Sequence, residues 1–119
     1  MEIRLKRVYE QADPADGYRV LVDRLWPRGV SKDSALLDEW NREVAPSTDL
    51  RRRFGHDPGR FDQFRADYTE ELREAGPALS ELRRRARDGT LTLLYAAKNE
   101  KQNHAMVLAE VLRNGLPGT

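Results

Sequence analysis

A chain of 119 residues holds one hydrophobic core and is too short for two ordinary domains, so residues 1–119 read as a single domain. Hydrophobic residues make up 39% and charged residues 34%, which describes a folded core inside a heavily charged shell, and a net charge of +1 excludes any global attraction to nucleic acid or anionic membrane. The absence of cysteine removes disulfides, thiolate nucleophiles and thiolate-bound zinc together.

No apolar run approaches the roughly 20 residues that span a bilayer, and Met1-Glu2-Ile3-Arg4 is no secretory signal, so a cytoplasmic protein without membrane contact is expected. Of 21 basic residues only Lys6, Lys32, Lys98 and Lys101 are lysines. A GC-rich genome accounts for that arginine bias without a functional demand.

Ile3, Leu5, Arg7 and Tyr9 alternate with Arg4, Lys6, Val8 and Glu10, the period-two pattern of an edge strand with one solvated face. Asp13-Pro14 and Asp16-Gly17 are turn pairs, and Tyr18 to Asp23 resumes the β-branched, apolar character of a second strand. Pro27 and Gly29 break regular structure and predict an ordered loop. Ser31 is a good N-cap for a short helix to about Leu37, and Trp40 and Val44 suggest a short extended piece within Glu39 to Ala45.

Ser47 or Thr48 caps a short helix to Phe54, and Asp57 before Pro58 starts the next. Phe61, Phe64, Tyr68 and Leu72 recur at intervals of three and four and so share one helix face, ending by Gly76-Pro77. Leu79, Leu82 and Ala86 repeat the pattern up to Asp88-Gly89. The arginine triplets 51–53 and 83–85 fall within these helices and read as solvated faces. Thr90 to Ala97 is apolar on both alternating faces, as in a central strand covered by helices on both sides. Asn99 caps the final helix with Gln102 reaching back, and Ala105, Leu108, Val111 and Leu112 form its buried stripe. Asn114-Gly115 ends it, leaving Leu116 to Thr119 as a tail.

The run from Val20 to Gly29, Val-Leu-Val-Asp-Arg-Leu-Trp-Pro-Arg-Gly, resembles the signature of the YeaO-like proteins, a branch of the bacterial domain-of-unknown-function family 488 (DUF488). Ala45-Pro46-Ser47, Phe54-x-His56-Asp57-Pro58, Phe64-x3-Tyr68-x2-Glu71-Leu72, and Leu93 to Lys98 leading to Asn103-His104-Ala105 match in order, so the resemblance covers nearly the whole chain. It implies a small Rossmann-like α/β fold, with a mostly parallel central sheet flanked by helices, and no agreed activity. The MarR-like label some members carry needs a helix-turn-helix core that this strand-first pattern lacks.

In an open parallel sheet, ligands bind beyond the carboxyl ends of strands. The second strand delivers Asp23, Arg24, Trp26 and Arg28, and the strand ending near Ala97 delivers Lys98, Asn103 and His104. If these strands are parallel neighbours, the two groups meet. Two guanidiniums and an ammonium beside free helix amides favour phosphate or carboxylate, and Trp26 offers a stacking surface. The enzyme reading is hydrolysis or group transfer on a phosphorylated or nucleotide-like small molecule. In it Arg24, Trp26, Arg28, Lys98 and Asn103 bind substrate, while Asp23 or His104 moves a proton. The alternative is a non-catalytic module recognising a nucleotide, a nucleic-acid end or an acidic protein segment.

The same residues admit a purely structural reading, with Asp23 ion-paired to Arg24 or Arg28 and Trp26-Pro27 plugging the sheet end. No glycine-rich phosphate loop is present and no cofactor is expected. His56 and His104 are far apart in sequence and lack metal-ligand spacing, Asp57 already has a capping role beside His56, and Ser47 lacks a nucleophile-elbow context.

Overall fold

A computed structural model describes residues 1–118; of the predicted tail, Thr119 lies outside the described residues. Four strands, β1 (Glu2–Arg7), β2 (Tyr18–Leu21), β3 (Glu39–Trp40) and β4 (Thr90–Tyr95), form one parallel sheet in the order β1-β4-β2-β3. This is a Rossmann-like α/β arrangement, with β1 at an edge and the doubly apolar β4 inside, as their patterns predict. β2 and β4 are parallel neighbours, Val20 lying opposite Leu93, which brings their carboxyl ends side by side.

The helices are α1 (Lys32–Ala35), α2 (Thr48–Phe54), α3 (Phe61–Leu72), α4 (Gly76–Asp88) and α5 (His104–Asn114). Among the described residues, none is long and apolar enough to cross a membrane. Ser31 and Ser47 cap α1 and α2 through their side chains, and Asp57 caps a 3-10 turn, Pro58–Arg60, that leads into α3. Phe61, Phe64, Tyr68 and Leu72 of α3, Leu79, Leu82 and Ala86 of α4 and the predicted stripe of α5 all enter the main core. They cover the sheet face that presents Ile3, Val20, Leu91 and Leu93.

The opposite face is covered differently from the helix layer expected over β4. Val8, Leu21 and Leu94 pack there beneath Trp26, Val30, Leu37 and Trp40, so a loop with two tryptophans, and only the one-turn α1, closes this side. The last helix also starts later than predicted. Asn99 Oδ1 accepts from the amides of Lys101 and Gln102 and closes a separate turn, while Asn103 is the true cap, accepting from the Met106 amide at 2.9 Å.

A buried polar knot joins β1, β2 and β4 near the start of β2. Asp16, 4% exposed, accepts from Lys6 Nζ at 3.1 Å, from Arg19 Nη1 at 2.5 Å and from the Asp13 amide at 3.0 Å. Its carbonyl accepts from the Thr92 hydroxyl, and Arg19 also donates to the carbonyls of Ala35 and Leu36. The adjoining Gly17 has φ +64°, and a Cβ there would stand 2.3 Å from the Thr90 carbonyl oxygen, so only glycine permits this approach of turn to strand.

Burial pushes the Asp16 carboxyl up, but the Asp13 amide, Lys6 and Arg19 outweigh it and hold the group below its ordinary value of 3.8. The stability it contributes is therefore present above that value and is lost as pH falls through the lowered one. Asp16→Asn is expected to cost about 3 kcal/mol at neutral pH, because two cations lose a buried partner. Its denaturant midpoint, followed by circular dichroism, should also decline less steeply than that of the wild type as the pH falls below about 4.

Candidate functional site

The carboxyl end of β4 is held from both sides by charged groups of its neighbours. From β1, Arg7 donates to the carbonyls of Ala97 at 2.9 Å and Ala96 at 3.1 Å. From the end of β2, Asp23 Oδ2 accepts from the Ala96 amide at 3.0 Å. The other carboxylate oxygen, Oδ1, faces Nε2 of His104 at 2.8 Å, a contact that is an ion pair when the imidazole is protonated. Neither of these two atoms makes an aligned hydrogen bond, and each side chain is only 13% exposed. The backbone carbonyl of Asp23 accepts from Trp40 Nε1 at 2.7 Å. One residue thus binds β4, the first position of α5 and the second core.

Beyond these strand ends opens a pocket of about 860 Å³. Asp23, Arg24 and Leu25 from the β2 end, and Ala96, Ala97, Lys98, Asn99, Gln102, Asn103 and His104 from the β4–α5 connection, line one part of it. The opposite wall consists of Pro46, Thr48, Arg51, Arg52, Phe54, His56 and Phe64. Arg24 is oriented there by donating to the carbonyls of Pro46 at 2.9 Å and Ala45 at 3.3 Å.

The second wall is fixed by a clamp between segments far apart in sequence. Glu71 of α3 accepts from the Ser47 amide at 2.8 Å and the Ser47 hydroxyl at 2.5 Å, while that hydroxyl oxygen accepts from the Leu50 amide. Ser47 is therefore a cap and an anchor. One turn away along α3, the Tyr68 hydroxyl donates to the Val44 carbonyl. Burial, with smaller contributions from Glu71 and Asp23, pushes this phenol well above its ordinary value, so it stays protonated as a donor. Burial likewise raises the Tyr95 phenol.

Five of the residues expected at the site, Asp23, Arg24, Lys98, Asn103 and His104, meet at this pocket. Asn103 contributes as a buried cap whose Nδ2 donates to the Asn99 carbonyl. Two others lie outside it. Trp26 turns to the opposite face of the sheet, donates to the Val30 carbonyl and packs edge-on against Trp40, with ring centroids 5.3 Å apart. Arg28 is exposed, and its carbonyl accepts from the Tyr9 hydroxyl. Among the described residues neither Arg24 nor Arg28 forms an ion pair with Asp23, whose partner is His104.

Sequence reasoning missed Thr48, Arg51, Arg52, Phe54 and His56. The Phe54-x-His56 spacing was visible, but nothing local says that α2 stands over the strand ends. Among the described residues the side chains of Arg51, Arg52 and Lys98 have no hydrogen-bond or ion-pair partner, whereas Arg53 is paired with Asp49 and Asp67. Among the described residues no three of His, Asp and Glu converge as a metal site.

Residues 2–118 match the family model described as "Inactive DUF488-N3 subclade". The chain is 49% identical over 117 residues to the uncharacterised protein YeaO of Escherichia coli, covering 96% of this chain and 99% of the relative. It is 46% identical over 110 residues to the uncharacterised protein Rv3073c of Mycobacterium tuberculosis and to the uncharacterised protein Mb3100c of Mycobacterium bovis, covering 92% of each chain. No solved structure matches it.

Replacing Asp23 separates its two roles. Asp23→Ala leaves the Ala96 amide and His104 without a partner and is expected to cost about 2–3 kcal/mol in chemical denaturation. Asp23→Asn keeps an acceptor for the amide and should recover roughly half of that loss.

Proposed function

We propose that this chain, which belongs to the DUF488 family in the subclade described as inactive, is a recognition module for a phosphate- or carboxylate-bearing small molecule. The observation that carries the reading is the convergence of Arg51, Arg52 and Lys98 on one pocket without partners among the described residues. Like charges gathered without counter-ions repel one another, and an anionic ligand removes that repulsion on binding. Arg24 adds a fourth cation, and the amino terminus of α5 adds amides and a favourable dipole. Asp23, the one carboxylate lining the pocket among the described residues, is already engaged with Ala96 and His104.

A pocket of about 860 Å³ suits a ligand of mononucleotide size. Phosphorylated small molecules are abundant in the cytoplasm, and a cytoplasmic location goes with this reading. A nucleic-acid end is the rival anion, and the net charge of +1, which gives no sequence-independent attraction to a duplex, weighs against it.

A second reading rests on the Asp23–His104 contact at 2.8 Å, which could serve proton transfer in hydrolysis or group transfer on the bound phosphate ester. Three features favour recognition over chemistry. Both residues hold the fold, the lining offers among the described residues only the Thr48 hydroxyl as a side-chain oxygen nucleophile besides Asp23, and the subclade's description is "inactive".

Isothermal titration with sugar phosphates, nucleotides and short oligonucleotides tests the proposal. Binding of a phosphorylated small molecule is expected, weakened roughly tenfold by Lys98→Ala combined with Arg52→Ala, whose side chains make no internal bonds that the fold would lose. An affinity unchanged by both substitutions would put the site elsewhere. Product appearing in the same samples, and vanishing with His104→Ala, would favour the enzyme.

A further inference from the structure

Two residues other than glycine have a left-handed backbone among the described residues, Leu36 at φ 49° and His56 at φ 57°. For Leu36 the fold supplies the reason. It ends α1, and its carbonyl accepts from the buried Arg19 at 3.0 Å. For His56 the backbone has a local reason too, since it is the second central residue of a tight turn closed by the Asp57 amide donating to the Phe54 carbonyl at 3.0 Å. It follows Gly55, itself left-handed at φ 56°, and its exposed side chain makes no hydrogen bond or ion pair among the described residues. Its one ring contact is Phe54, at 5.9 Å between centroids and tilted 51°. Glycine or asparagine would hold this backbone at lower cost. The turn calls for a left-handed residue at this position but not for an imidazole, and the imidazole lines the pocket beside Phe54.

The wall around His56 has a chemical character of its own. Phe54 stacks on Phe64 with centroids 4.5 Å apart, and Phe54, Phe64 and His56 border the same cavity that the exposed Arg51, Arg52 and Lys98 line. Flat faces beside a cationic cluster suit a ligand that is planar at one end and anionic at the other. An aliphatic or sugar phosphate would leave the aromatic wall unmatched. We propose that His56 is a ligand-contacting residue which, with Phe54, receives the planar ring of a ring-bearing phosphate, a nucleoside monophosphate or a compound of that shape, with its phosphate at Arg51, Arg52 and Lys98. This inference rests on the anion-recognition reading above and adds the substrate class.

Calorimetric titration with adenosine 5′-monophosphate, ribose 5-phosphate and inorganic phosphate tests it on the wild type, His56→Gly and His56→Asn. The wild type is expected to bind the nucleotide about tenfold or more tighter than ribose 5-phosphate, a margin that ring stacking supplies. In both variants that preference should shrink below about threefold while ribose 5-phosphate affinity stays within about twofold of the wild type. The Tm of each unliganded variant should equal the wild-type value or exceed it by up to about 5 °C, since the left-handed backbone is relieved. Equal affinity for nucleotide and sugar phosphate in the wild type overturns the ring assignment and leaves anion recognition standing. A preference that survives both substitutions, or a Tm lowered by both, overturns the role of His56. If none of the three phosphates binds, anion recognition falls and this inference with it.

Discussion

Asp23 is the residue on which the upper half of the molecule depends. One carboxylate oxygen receives the Ala96 amide where β4 stops, the other meets His104 where α5 starts, and its carbonyl receives Trp40 from the second core. A strand end is a place where ladder bonds run out, and orphaned backbone groups there must find partners or water. Here a side chain supplies the partner, so the β4–α5 connection has a defined path and Lys98 a defined station. β2 is in this sense bracketed by two aspartates, Asp16 knotting its entry to β1 and β4 and Asp23 fastening its exit.

The arginines carry a related burden. Arg7, Arg19, Arg24 and Arg83 each donate two hydrogen bonds to main-chain carbonyls, at the ends of β4, α1, the segment before α2 and α5 respectively. The planar fork of a guanidinium is pre-organised for such paired donation, so less side-chain freedom is lost than with a lysine. The excess of arginine over lysine therefore does structural duty, whatever the genomic bias that supplied it. Among the described residues Arg51 and Arg52 make no such bond and line the pocket, flanked by an Arg53 that is engaged with Asp49 and Asp67.

What could be read from the sequence follows the range of the interactions. Periodicity placed the core faces of α3, α4 and α5, because burial of a helix face is written every three or four residues. β4 declared itself by being apolar on both faces, and its adjacency to β2 turned two separate loops into one site. The choice between Asn99 and Asn103 as cap was not legible, since both are followed by amides they can accept and only the packed position of α5 decides. Trp26 misled for the opposite reason. It lies within a run of polar site residues, yet the loop turns it beneath the sheet, where a large apolar ring has more to bury. The α2 wall was invisible because its position is set by Glu71 reaching Ser47 across more than twenty residues of chain.

That last clamp bears on how such a pocket changes over evolutionary time. The Glu71 carboxylate anchors the start of the segment from Thr48 to His56 against α3, Arg53–Asp67 and Phe54–Phe64 hold the rest of it, and the sheet supplies the other wall, joined to it through Arg24. Substitutions within this short stretch can alter which molecule is chosen while the strands, their aspartate brackets and the floor of the cavity stay as they are. The fold therefore separates a conservative half from an adaptable one, and a set of relatives could diverge in ligand without diverging in architecture.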